Sequence, residues 1–73
     1  MKIDLADPST WPEPGTAWRH HSGRIYVVLD YTNVESDRQD EYPTTIVYAN
    51  AQSNKKYSRR LVDWKRSFER ISV

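Results

Sequence analysis

Residues 16–33 carry the clearest pattern in the chain: two runs rich in aromatic and β-branched side chains, 16–21 and 24–33, separated by Ser22-Gly23. Such runs predict a β-hairpin, with the glycine supplying the positive φ that a tight turn needs. Simple alternation places Trp18 and His20 on one face of the first arm, and Arg19 and His21 on the other. In the second arm Ile25, Val27, Leu29 and Tyr31 share a face, while Tyr26 and Val28 occupy the opposite one until the pattern turns polar at Asp30 and Thr32. A strand that begins apolar on both faces belongs in the middle of a sheet or in a strongly bent one.

The remaining pattern adds shorter elements. Residues 1–15 are rich in prolines and read as an extended lead, with Ile3, Leu5 and Trp11 as its sizeable apolar side chains. These three either lie across the domain as a lid or belong to a partly mobile terminus. Residues 34–41 are polar and acidic without periodicity, which predicts an exposed, mobile loop. A third strand is expected over 44–49, a turn over 50–54 and a short fourth strand over 56–58. Leu61, Trp64 and Phe68 then recur at helical spacing, so a single helical turn is expected near 59–64 and a closing strand near 68–72. Together these elements predict one mainly β domain over 16–73: a small five-stranded SH3-like barrel or a strongly curved antiparallel sheet, with one short helical turn.

Length and composition limit what this domain can be. At 73 residues the chain buries only about 60% of its unfolded surface, and with no cysteine it has neither disulfides nor a thiolate metal site. No apolar run approaches a membrane span, and the N-terminus has no signal-peptide core, so a cytoplasmic protein without membrane contact is expected. The net charge of +1 conceals a partition: residues 1–50 carry four bases and eight acids, residues 51–73 seven bases and two acids. Such asymmetry reads either as a site for a polyanion or as two ends of one fold neutralising each other.

The order Trp18-Arg19-His20, Gly23, Tyr26, Val28-Leu29, Val47-Tyr48, Tyr57-Ser58-Arg59, Leu61 and Trp64 resembles a family of short bacterial and phage domains of unknown function. Its members read approximately Y-R-H-x-x-G-x-x-Y-x-V-L, then V-V-Y, then W-x-R-P-L-x-x-F. The resemblance covers residues 16–68 and departs at Arg60, where the family has proline, and at Trp18, Tyr57 and Trp64, where one aromatic replaces another. It implies an SH3-like domain without an established activity, and suggests phage or bacterial origin.

Candidate chemistry is sparse. His20 and His21, as neighbours on a strand, point to opposite faces and do not converge on one ion, which favours structural histidines over metal ligands. Asp37, Asp40 and Glu41 lack the ligand spacing and central glycine of a calcium loop. Ser22, Ser53, Ser58 and Ser67 have no nucleophile context, and two glycines cannot build a phosphate cradle. The expectation is a non-enzymatic domain without metal or cofactor. Trp18, Tyr26, Trp64 and Phe68 are assigned to packing. Tyr31, Tyr42, Tyr48 and Tyr57 are the rings expected at the surface, beside Lys55, Lys56, Arg59, Arg60, Lys65, Arg66 and Arg70. From this set the first reading is a protein-interaction module, monomeric or weakly dimeric through an edge near Tyr57, with the acidic loop as an electrostatic rim. The alternative is a nucleic-acid-binding domain that sets the basic segment against phosphates and stacks bases on Tyr57.

Overall fold

Strand pairing follows the hairpin pattern and extends it to both sides. The computed structural model describes residues 3–71; Met1 and Lys2 of the lead, and Ser72 and Val73 of the closing segment, lie outside the described residues. A 3-10 turn at Pro8–Thr10 precedes strands β1 (Ala17–His20), β2 (Ile25–Thr32), β3 (Thr45–Asn50) and β4 (Lys56–Arg60), helix α1 (Leu61–Ser67) and strand β5 (Phe68–Arg70). They form one five-stranded sheet in the order β4-β3-β2-β1-β5, every pair antiparallel. The β1–β2 connection closes when Gly23 N–H donates to the His20 carbonyl at 2.8 Å, with Gly23 at φ 96°. Only glycine takes that left-handed conformation without a steric cost, so the turn forms where the sequence placed it.

The sheet is strongly curved but does not close into a barrel. Four inter-strand spacings separate β4 from β5, about 19 Å if the sheet were flat. Yet the Arg59 guanidinium of β4 lies 5.0 Å from the ring centre of Phe68 in β5. The two edges therefore curl towards each other around α1, and no ladder joins them among the described residues.

The concave side holds the core: Ile3, Trp18, Val28, Ile46, Tyr48, Leu61, Trp64 and Phe68, with Trp11, Tyr26 and Tyr31 packed against it. Aromatic rings dominate it because aliphatic residues are few. Trp64 stacks on Phe68 at 3.7 Å and meets Trp18 and Tyr48 edge-on. The lead contributes Ile3 to this core, so the lid reading describes it.

Four expectations need correction. Strict alternation fails in β2, because a β-bulge between Val28 and Asp30 inserts Leu29 as an extra residue. Leu29 is left exposed, and the parity shift lets Tyr26, Val28 and Tyr31 all address the core. The helix is longer than one turn: nothing in 61–67 breaks it, and Arg60 at its start is still extended, with ψ 144°. Tyr48 is buried, not surface-presenting, because it faces inward from the centre of β3. Finally, His20 and His21 do not face apart. His21 has already left the strand for the turn, and the two rings lie 4.0 Å from each other.

Candidate functional site

A groove of about 450 Å³ lies where three chain segments meet at one end of the sheet. Leu5, Pro8 and Trp11 form one wall, Val34, Ser36, Gln39, Pro43 and Thr44 a second, and Arg60, Leu61 and Val62 the third. Leu5, Val34 and Val62, at 42%, 46% and 46% exposure, are among the few large apolar side chains that the fold leaves in solvent.

Local hydrogen bonding builds each wall. In the lead, the Asp7 carboxylate accepts from Ser9 N–H and so starts the 3-10 turn, and Trp11 Nε1 donates to the Asp4 carbonyl at 3.0 Å. Tyr31 then anchors this segment to β2: its hydroxyl donates to the Pro12 carbonyl at 2.7 Å, and its ring packs on Trp11 at 5.8 Å. Burial pushes the Tyr31 hydroxyl above its ordinary pKa, which keeps it a neutral donor. In the acidic loop Gln39 is the hub. Its Nε2 donates to the Asn33 and Ser36 carbonyls, and its Oε1 accepts from the backbone and hydroxyl of Thr44 at 2.8 and 3.0 Å. The loop is exposed, as expected, but one side chain ties its two ends together. The third wall is fastened when Leu61 N–H donates to the Thr44 carbonyl at 3.0 Å.

Charge around the groove is uneven. The segments that supply the first two walls carry Asp4, Asp7, Glu35, Asp37, Asp40 and Glu41 against the single base Arg38, which pairs with Glu41 at 3.6 Å. On the third wall Arg60 and Arg66 both bind Asp63 at 3.0 Å. The hydrogen bond from Arg60 is the main reason that the Asp63 carboxyl sits below its usual pKa. Among the described residues no ion pair joins the acidic loop to the basic segment; apart from the cross-strand pair Arg19–Glu69, the ion pairs are local to each region and leave the loop net acidic and the C-terminal segment net basic.

The sequence-predicted site residues do not form one surface. Tyr48 is buried and Tyr31 half-buried, both as packing groups; Tyr42 and Tyr57 are exposed as expected. Tyr57 packs along Tyr48 at 5.9 Å, and Arg59 Nε donates to the Tyr48 hydroxyl at 2.9 Å, so Arg59 serves the fold. Lys55, Lys56 and Lys65 are exposed and form no ion pair among the described residues. Arg60 reaches the groove, Arg66 lies on the helix, and Arg70 is on β5, opposite Trp18. Of the groove residues, Val34 and Val62 escaped the sequence reading, and Leu5 figures in it only as an apolar side chain of the lead. The signal for them is an isolated large aliphatic side chain in an otherwise polar stretch.

A second depression is lined by His20, His21, Arg19, Arg66 and Glu69. His20 Nδ1 accepts from Ser22 N–H at 3.1 Å, a structural role. Partial burial, His21 and nearby arginines hold its pKa below the ordinary value. No group of three or more histidine or carboxylate side chains converges on a metal position among the described residues.

Fold and groove together define a small open β-sheet domain with an apolar cleft at one end. No family model, no curated protein and no solved structure matches this chain. Among the described residues no helix is long and apolar enough to cross a membrane.

Proposed function

We propose that this is a non-enzymatic interaction domain whose groove binds an extended segment of a partner protein. The observation that carries this reading is the meeting of Leu5, Val34 and Val62, far apart in sequence and all exposed, in one cleft. Solvent-facing aliphatic groups gathered into a concavity gain free energy when a partner side chain displaces water from them. The volume is within the range of ligand clefts, about 300–1,000 Å³, and suits a few side chains. No acid lines the groove itself, but the segments that supply two of its walls are net acidic, which favours a segment whose aliphatic or proline anchors are bordered by Lys or Arg. Nucleic-acid binding finds less support. The bases lie on both faces of β4, on α1 and on β5, with two of them engaged by Asp63, so they do not make the continuous stripe that a phosphate backbone follows.

Selection from a displayed peptide library, followed by titration, tests the reading. Trp11 lines the groove while Trp18 and Trp64 are buried, so binding should change the emission of one indole. Val62→Asp should abolish binding at a stability change of no more than about 1 kcal/mol, since the residue is nearly half exposed. Ligands that bind Val62→Asp as tightly as the parent protein would overturn the proposal.

A further inference from the structure

The open edge of β4 offers a second surface, which shares only Arg60 with the groove. Asn50 N–H donates to the Lys55 carbonyl at 2.9 Å, and Leu61 N–H to the Thr44 carbonyl at 3.0 Å. These bonds set the phase of the β3–β4 ladder, in which Tyr48 lies opposite Tyr57 and Ile46 opposite Arg59. Residues 55, 57, 59 and 61 therefore turn their backbone groups towards β3, while Lys56, Ser58 and Arg60 turn theirs outward. β4 is the last strand on this side of the sheet, and four of its five residues are exposed. Its edge is thus a row of alternating donors and acceptors bordered by cations, with Lys55 and Lys56 free of ion pairs among the described residues.

We propose that this edge adds an acidic extended segment of a partner protein as a further antiparallel strand. Both halves of the chemistry fit: a peptide backbone satisfies N–H and C=O groups alike, and a carboxylate opposite Lys56 complements its charge, with a second near Arg60, whose guanidinium already binds Asp63, adding less. A second copy fits poorly, because pairing about Ser58 sets Lys56 of each copy against Arg60 of the other. Nucleic acid fits poorly as well. Phosphates accept hydrogen bonds but do not donate them, which leaves the outward carbonyls without partners.

The probe is the peptide acetyl-Ser-Glu-Val-Thr-Val-Glu-Ser-amide, which sets its glutamates opposite Lys56 and Arg60 and its threonine opposite Ser58. Titrated at concentrations on the order of 1 mM, it should shift the Lys56 and Ser58 amide protons downfield in NMR spectra. The lysine-for-glutamate peptide should not. Lys56→Glu, at an exposed position, should weaken binding about 5-fold, as an attraction becomes a repulsion in solvent. Ser58→Pro removes an outward N–H and no ladder bond, so it should keep the fold and abolish binding. Val62→Asp should leave this binding unchanged, which separates it from the groove. Absence of shifts at β4 would overturn the proposal and leave the edge bases as a guard against strand pairing. Equal binding of the lysine peptide, self-association through the same amides, or stronger protection of them by a thymidine oligonucleotide would also overturn it.

Discussion

Tyr48 and Arg59 offer the sharpest test of the fold, because side chains of this kind are usually read as a binding surface. The Arg59 Nε bond to the Tyr48 hydroxyl spans two adjacent strands at 2.9 Å, and the guanidinium continues over the Phe68 ring at 5.0 Å. This arrangement clamps the β4 edge to the β5 edge across the concave face. Tyr48→Phe removes the acceptor alone. A hydrogen bond to a charged donor contributes about 1.5–3 kcal/mol, and the partly buried guanidinium can be partly rehydrated, so a loss of about 1–2 kcal/mol is expected. Arg59→Ala loses the same bond together with a cation–π contact of about 0.5–1 kcal/mol, giving about 2 kcal/mol. Because the bond is shared, the double variant should lose about 1 kcal/mol less than the sum of the single losses. A domain of 73 residues has a total stability of about 4–11 kcal/mol, so each single loss is readable. Urea unfolding followed by tryptophan emission suffices: with a slope of about 1 kcal/mol per molar, the midpoint should fall by about 1–2 M. Additivity within about 0.3 kcal/mol would show that the clamp does not act as a unit and would refute the reasoning.

Two further outcomes follow from the core and from titration. Trp64→Ala removes a fully buried indole that packs against Trp18, Tyr48 and Phe68, and a loss of about 3–5 kcal/mol should lower the melting temperature by at least about 12 °C; cooperative melting near the parent temperature would contradict this. Stability should fall in two stages on acidification. Folding depresses the His20 pKa below 6.5, so its contribution is complete above that pH and declines as the pH drops below it; Asp63, depressed below 3.8, behaves likewise in the lower range. Melting temperatures measured from pH 8 to pH 2 should show both stages. His20→Asn should remove the first and Asp63→Asn should flatten the second, whereas unchanged profiles would discredit these assignments.

Much of the fold was legible because its determinants are local. Ser22-Gly23 specified the hairpin turn, the β-branched run before Ala49 specified β3, and the spacing of Leu61 and Trp64 specified one buried helical face. The candidate groove was not legible in the same way. Leu5, Val34 and Val62 carry no shared motif and meet only after Gln39 has tied the loop to Thr44 and Tyr31 has drawn in the lead. The charge partition misled for a related reason: the bases of the C-terminal segment are divided between strand faces and the helix, and two of them share Asp63 within their own segment.

By itself the sequence determined which segments become strands, where the tightest turn falls and which rings are available for a core, since backbone conformation and hydrophobic period act over a few residues. Tertiary structure decided which face each side chain takes and which surfaces result. The bulge at Leu29 reverses the parity of β2, the central place of β3 in its half of the sheet buries Tyr48, and the outermost place of β4 leaves the amides of Lys56 and Ser58 open. Each depends on a pairing partner distant in the chain, and pairing between strands is set by the packed core as a whole.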